Sequence, residues 1–494
     1  MSTTQRDPTL AIDFSADNPL LISSVQAAAI NVFEINTVAG RTPDEPDFFL
    51  RAGGGYNEPW TRDASINAWL AASWLTPDVA ESTLRMVCEA GPDGPVVAQD
   101  DQWWDQVMWV VAAHRHALIT GNRQFLEWAD GVARRTLAIA HAERFDAQYG
   151  LFRGGAVMAD GISGYPADVV QAGNQSSFVL DHPRTHDVFS LSTNLIHAAA
   201  HHALGEMAEA LGRSSEQERM RCRSLVAAIR RHFRSGQYHG YLLIPGRDGV
   251  PDRLDRSQET LALAFLLLGG LVRGTHAQHL IRSIHREPFG VVALWPAMQN
   301  YTEEHPGRHN VIVWPWITGM WTLAVGRVGD VASFDTELSN LLGLIEAAGF
   351  AYPEIQHPRT GLPDGGWQSD EHWPGDSLAG IGRHWRSEPD QTWSASALLG
   401  VVLQGLLGLT PEVSGMRLAP NLPPGIGHIR LGGIRYGSVA LDVEVLGPGN
   451  RLIELTVDGE DVDVAAPVLP TTLRDAPASP MKPRMVHVRA VVSP

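Results

Sequence analysis

Apolar residues recur at three- and four-residue spacing over twelve stretches: near 19–34, 64–75, 77–90, 103–120, 123–142, 187–212, 215–234, 258–268, 274–285, 312–328, 330–348 and 391–407. That is the period of a helix with one face against a core. Start signals support several of them: Asp63-Ala-Ser, Thr76-Pro77-Asp78 with proline in the first turn, and Ser257 ahead of Gln258-Glu259. Long segments rich in Gly, Pro, Trp and acids (36–62, 91–105, 144–186, 286–311 and 350–390) follow roughly every second helix. Loops of that length in a compact domain are usually functional. The pattern predicts a mainly α fold: an (α/α)6 toroid over 19–409, its long loops gathered into a funnel at one end. Residues 1–18 read as an irregular N-terminal arm. From 410 to 494 the period changes to two, as in Val439-Ala-Leu-Asp-Val-Glu-Val and Leu452-Ile-Glu-Leu-Thr-Val. With the Gly and Pro between such stretches, this predicts a small antiparallel β module.

Composition narrows the functional classes. A chain of 494 residues, 44% hydrophobic and 19% charged, supplies a sizeable core and excludes wholesale disorder. The net charge of −17 argues against nucleic-acid and anionic-membrane partners, which need a basic surface. Cys88 and Cys222 are too few for a disulfide framework or a cysteine-rich zinc site, and read as small buried thiols. The opening MSTTQRDPTLAIDF lacks a basic patch followed by an apolar stretch, and no apolar run reaches the length of a membrane span. A cytoplasmic location is expected. Tryptophan is over-used, 15 against 8 tyrosines. Many of the Trp stand beside acids, histidines and glycines, which suggests a pocket more than a core, because a buried indole N–H needs a partner.

Six constellations could carry chemistry. In Tyr56-Asn-Glu-Pro-Trp60-Thr-Arg62-Asp63 an Arg–Asp pair beside an indole could grip sugar hydroxyls; a capping Asp63 and a surface Arg62 explain the same residues. Gln99-Asp100-Asp101-Gln102-Trp103-Trp104-Asp105 packs three acids and two indoles at a helix start; the helix dipole explains the acids but not the Trp pair. In Gly154-Gly-Ala-Val-Met-Ala-Asp160-Gly161 a lone carboxylate sits in an otherwise apolar loop. Burial there would keep it protonated, as a general acid requires; an Asp-Gly turn is the plain alternative. Ser192-Thr193-Asn194 opens a helix and offers Asn194 to a hydroxyl. His197, His201 and His202 follow without a metal-binding pattern and read as packed or surface residues. Trp314-Pro315-Trp316, after His309-Asn310, could line a subsite or staple a helix. The densest group is Tyr352-Pro-Glu354, Trp367-Gln368, His372-Trp373, His384-Trp385 and Gln391-Thr-Trp393. Glycoside hydrolysis needs two carboxylates flanking the scissile bond. A toroid would bring Asp160 and Glu354 from distant loops to one mouth.

In the order of these motifs the chain resembles the six-hairpin clan of glycosidases over roughly 20–410. It is similar to the glycogen-debranching (amylo-α-1,6-glucosidase) domain, and more distantly to family 63 α-glucosidases and bacterial α-rhamnosidases. Asp255-Arg-Ser-Gln-Glu259 belongs to the same series. The resemblance implies Asp160 as general acid and Glu354 as base. It also implies an inverting mechanism with water held by Glu354, and Arg62 and Asp63 on the terminal sugar. The acid is preceded here by Met158-Ala159, where debranching relatives carry Trp-Met.

The expected activity is therefore hydrolysis of a terminal neutral glycoside, α-linked and glucoside-like, with an oligosaccharide or glycoside as partner and no cofactor or metal. Substrate contacts are expected from Trp60, Arg62, Asp63, Asp101, Trp104, Asn194, Trp314, Trp316, Trp367, Gln368, His372, Trp373, Trp385, Gln391 and Trp393. Asp100, Asp101, Asp105, Glu259 and Asp390 are rival carboxylates. The competing readings are a lyase, epimerase or unsaturated-uronyl hydrolase on a related toroid, and a sugar-binding protein without turnover.

Overall fold

Two kinds of helix alternate along the chain. The computed structural model describes residues 12–40, 45–98, 104–171, 173–174, 176–236, 238–298, 301–328, 330–368, 383–475 and 483–494. Among these, one set of helices is buried on nearly every face: α2 (Thr61–Asn67, continuing in wider turns to Leu75), α4 (Asp105–Thr120), α6 (Leu191–Ala210), α8 (Thr260–Leu268), α10 (Pro315–Val328) and α12 (Thr392–Gly400, with wide turns over Val401–Leu406). The plainest is α8, Thr-Leu-Ala-Leu-Ala-Phe-Leu-Leu-Leu, apolar all round, and such a helix is stable only inside a protein. The other set is amphipathic: α1 (Pro19–Ala29), α3 (Pro77–Met86), α5 (Arg123–Arg144), α7 (Glu216–His232), α9 (Gly274–Ser283) and α11 (Val331–Ala347). α3 buries Val79, Ala80, Thr83 and Leu84, while its other residues are half-buried or, at Asp78, exposed.

The fully buried set closes a ring. α2 packs on α4, α4 on α6, α6 on α8, α8 on α10, α10 on α12, and α12 back on α2. The amphipathic helices sit outside and pack on members of that ring, α7 on α6 and α11 on α10 among them. This is the (α/α)6 toroid, with all twelve helices near their expected positions.

Two expectations about the remainder need correction. The C-terminal sheet is mixed. Its order runs Phe14–Ala16, His428–Tyr436, Val439–Leu446, Arg484–Ser493, Arg451–Val457, Glu460–Asp461, and Val439–Leu446 pairs in parallel with Arg484–Ser493. Period-two patterning marks a strand but carries nothing about its neighbour's direction. The N-terminal segment is also not simply an arm: Phe14–Ala16 forms the edge strand of that sheet, paired with Ile429–Leu431. A second sheet joins Leu409–Glu412, Gly415–Leu418 and Val468–Pro470. The module covers the C-terminal ends of the inner helices; Gly437 N–H, for instance, donates to Ile119 O at 2.8 Å. Cys88 and Cys222 are free and half-buried. No described helix is long and apolar enough to cross a membrane.

Candidate active site

The other end of the ring, where the inner helices begin, is open. A cleft of ≈ 330 Å3 is lined there by Tyr56, Trp60, Arg62, Asp63, Asp105, Asp160, Ser177, Phe178, Arg308, Trp314, Glu354, Gln368, Trp385, Gln391 and Trp393. Arg62 and Asp63 belong to the first turn of α2, Asp105 starts α4, Trp314 precedes α10, and Gln391 and Trp393 begin α12. Helix N-termini carry partial positive charge, which favours the acids gathered against them.

The loop bearing Asp160 is held from below by α6. The Asn194 side chain donates to Phe152 O (3.0 Å) and Ser190 O (2.9 Å) and accepts from Phe152 N–H (2.8 Å). Thr193 and Ser190 hydroxyls donate to Gly155 O at 2.6 and 2.9 Å. Both N–H donors of Asn194 are therefore used inside the protein and the side chain is fully buried, so it positions the loop. Gly161 follows the acid because a Cβ there would collide with Gln368 Oε1. Glu354 is fixed from its own side. Its N–H donates to Glu388 O (2.8 Å), and Ser394 in the first turn of α12 donates to Pro353 O (2.9 Å). Tyr352, two residues earlier, takes a left-handed φ of 48°. It is anchored by its hydroxyl donating to Ser24 O at 2.6 Å.

Each carboxylate has its own arginine. Arg62 Nη2 lies 3.1 Å from Asp160 Oδ2, and His309 Nε2 lies 2.9 Å from Asp160 Oδ1. Arg308 Nη2 donates to Glu354 Oε2 at 3.0 Å, and Tyr56 OH to Glu354 Oε1 at 3.3 Å. Arg62 also donates to Val157 O (2.7 Å) and lies 3.6 Å from Asp105. Gln391 Nε2 donates to Asp63 Oδ1 at 2.9 Å.

These neighbours correct the expected ionisation of Asp160. Burial pushes its carboxyl up, but the hydrogen bond from His309 and the charges of Arg62 and Arg308 outweigh it. The net result holds Asp160 well below the ordinary carboxylate range, so it rests ionised. Its side chain is 30% exposed to the cleft, so burial acts on it less fully than on its neighbours. The protonated acids are elsewhere. Burial lifts Asp105 to about 7 against the opposing charge of Arg62, and lifts Asp63 well above its usual value. Burial, then the charge of Glu354, pushes Tyr56 up.

Indoles form the walls. Trp314 meets Trp393 edge-on at 5.9 Å, and Arg62 lies 5.7 Å over the Trp393 ring. Arg308 sits over Trp314 and Trp385 at 5.5 and 5.2 Å. The indole N–H groups of Trp60 and Trp393 and Oε1 of Gln391 are buried with no hydrogen-bond partner among the described residues.

Of the residues singled out from sequence, the cleft brings together Trp60, Arg62, Asp63, Asp160, Trp314, Glu354, Gln368, Trp385, Gln391 and Trp393. Trp104 and Trp316 do not line it. Both are fully buried, Trp316 stacked at 5.5 Å beneath Trp393. Trp367 is on a peripheral hairpin, its ring 4.8 Å from that of His384. Asp101, His372 and Trp373 lie outside the described residues. His197 stacks on Phe152 at 3.6 Å and His201 meets Glu218 at 2.6 Å, as packed residues. Arg308 was missed; its one signal was its place beside His309, shortly before Trp314. Among the described residues, no group of three or more His, Cys, Asp or Glu side chains is placed to hold a metal ion.

No family profile and no curated protein sequence matches the chain. Solved structures do. A sialidase matches with a TM-score of 0.66 at 12% identity, over 91% of this chain and 40% of that one. The chain thus spans 40% of the length of that relative. A GH63 mannosylglycerate hydrolase from Thermus thermophilus matches with a TM-score of 0.55 at 15% identity, over 78% of this chain and all of that one. A GH78 rhamnosidase from Bacillus sp. GL1 matches at 0.50 and 13%, over 88% of this chain and 42% of that one.

The fold is that of the six-hairpin glycosidases.

Within the six-hairpin fold, the open end of the inner ring is where this chain concentrates buried charge, indoles and unpartnered polar atoms. The likeness to the solved structures concerns architecture.

Proposed function

We propose that the protein is a glycoside hydrolase that removes a terminal neutral sugar, with an α-linked, glucoside-like substrate as the leading class. The observation that carries this reading is the pair of carboxylates, Asp160 and Glu354, each held by its own arginine in one tryptophan-lined cleft. Two such groups, one protonating the leaving oxygen and one activating water, are what glycoside hydrolysis requires. Trp60, Trp314, Trp385 and Trp393 offer apolar faces to a pyranose ring, and Asp63 and Gln391 offer polar atoms to its hydroxyls. Glu354, between Arg308 and Tyr56, is the base that holds the attacking water; Asp160 is the acid. Attack by that water in one displacement inverts the anomeric centre.

A second reading is favoured by one observation. Asp160 rests ionised against Arg62 and His309, and an ionised acid without a route to a proton suits a sugar-binding protein. One experiment separates them: hydrolysis of a panel of aryl glycosides and disaccharides by the wild type, Asp160→Asn and Glu354→Gln. We expect one sugar to be cleaved and both variants to lose roughly 10²–10⁴-fold in rate while folded, with proton NMR showing the inverted anomer first. Variants that cleave as well as the wild type would move the chemistry to other carboxylates. Binding of a sugar by calorimetry with no cleavage anywhere in the panel would favour the binding protein.

A further inference from the structure

One buried acid takes no part in the scheme above. Glu259 caps the start of α8, and its side chain turns into the space beneath the cleft floor. It is 5% exposed, and neither carboxyl oxygen has a well-formed hydrogen bond among the described residues. Ser192 approaches from α6: its hydroxyl oxygen accepts from Val157 N–H at 3.2 Å, and its O–H and N–H bear on one side of the Glu259 carboxyl, leaving the other side to the space. The space is ≈ 10 Å3 and is lined by Ala156, Met158, Ala159, Tyr241, Glu259 and His309, among others. That is about the volume of one water-sized probe. His309 is 2% exposed, and its Nδ1 is likewise buried without a partner, while Nε2 faces Asp160. The other titratable groups here are committed: Tyr241 OH donates to Gly164 O (2.8 Å) and Tyr165 OH to Ala159 O (2.7 Å). Asp255 acts on Tyr241, and Arg62 and Arg308 act on His309 from the cleft side.

Two unpartnered polar groups around a water-sized space are a site for a bridging water. We propose that one water joins Glu259 to His309 Nδ1, and that the line Glu259–water–His309 supplies the proton that Asp160 gives to the leaving group. The proposal rests on the hydrolase reading. In the resting state Glu259 is protonated and donates to the water, and the water donates to Nδ1. His309 is neutral and its Nε2–H faces the ionised Asp160. Burial lifts Glu259 to about 8 and lowers His309, in keeping with these states. As the glycosidic C–O bond breaks, the leaving oxygen becomes far more basic than any group in the line. Glu259 gives its proton to the water, the water gives one to Nδ1, Nε2 gives one to Asp160, and Asp160 gives one to the leaving oxygen. Glu259 ends ionised, His309 neutral in its other tautomer, and Asp160 ionised as before. The attacking water's proton goes to Glu354. Glu259 is reprotonated from the cleft by the same line run backwards. It thus acts through His309, as a positioning and proton-holding residue.

The test is Glu259→Gln, isosteric and able to hold the water but unable to release a proton. On the sugar that the wild type cleaves, kcat for a disaccharide should fall roughly 10–100-fold with KM within about twofold. The rate for a glycosyl fluoride of the same sugar, whose leaving group needs no proton, should be unchanged. Equal losses on both substrates, or on neither, would overturn the proposal. A second readout needs no turnover. Nitrogen NMR of His309 in the wild type should shift between about pH 7 and 9 as Glu259 ionises, and stay flat in Glu259→Gln. Identical titrations in the two proteins sink the water link even if no glycoside is ever cleaved. A wild type inactive on every glycoside, with the NMR difference present, fails the hydrolase reading alone.

Discussion

The two ends of the inner helices are built from the same six segments and solved in opposite ways. At their C-terminal ends, carbonyls left without helical partners receive hydrogen bonds from the β module and its approach: Gly437 N–H to Ile119 O, Asn421 N–H to Leu406 O (3.1 Å), Asn421 Nδ2 to Gly326 O (3.3 Å). Around those bonds the contact is apolar, with Ile429, Leu431, Leu441 and Val443 of the sheet fully buried. At their N-terminal ends no module sits among the described residues. Arg62, Asp63, Asp105, Glu259 and Gln391 are there instead, all buried, and side chains from the long loops complete them. The partial positive charge of helix N-termini and the two arginines make a cluster of acids tolerable. One end is held chiefly by burial of apolar surface, the other by compensation between charges, and the second gathers acids, arginines and indoles around one cleft.

This contrast can be broken from either side. The largest expected effect is at the cleft. Arg62→Leu removes the cation shared by Asp105 and Asp160 and should cost about 3–5 kcal/mol of stability in urea unfolding at neutral pH. The loss should shrink in acid, where the abandoned carboxylates take protons. An unaffected midpoint would mean that charge compensation does not hold this end. Next comes Leu431→Ala in the sheet, a cavity in apolar packing, expected to cost about 2–5 kcal/mol. That loss should be the same at pH 5 and 8 and leave sugar affinity untouched; a changed affinity would show that the two ends are coupled. The smallest effect is Asp105→Asn. Its carboxyl is raised in the fold to about 7, so the folded state holds a proton that the unfolded chain releases. Its stabilising contribution is complete below the unfolded value near 4 and is lost as pH rises to about 7. The stability difference between wild type and variant should therefore change by at least about 1 kcal/mol over that window and level off above it. A difference flat from pH 4 to 8 would show that Asp105 is ionised throughout.

Much of this was legible in the sequence because it depends on local pattern. Helical period and the placing of polar residues distinguish α8, apolar all round, from α3, apolar on one stripe, and their alternation implies a ring of hairpins. The gathering of Asp160 and Glu354 with Trp60, Arg62, Asp63, Trp314, Gln391 and Trp393 followed from the toroid, which brings its long loops to one end. What failed to follow were matters of orientation and partnership. Asn194 looks like a ligand to sugar when only its place at a helix start is known; in the fold it is fully buried and bonded to Phe152 and Ser190. Trp104 and Trp316 sit within acidic or aromatic motifs, yet their rings turn inward.

The sequence by itself determined the helices, their two classes, the change to strands near 410 and the loops that carry the acids, because each is set by residues close along the chain. The tertiary structure alone decided the parallel pairing in the sheet and the ionisation of the site. Strand direction depends on which segment arrives beside which. The charge state of Asp160 depends on Arg62, 98 residues earlier, and on His309 in another loop, while Glu354 meets an arginine 46 residues before it. Coulomb interaction falls with distance in space, and only the folded ring sets those distances.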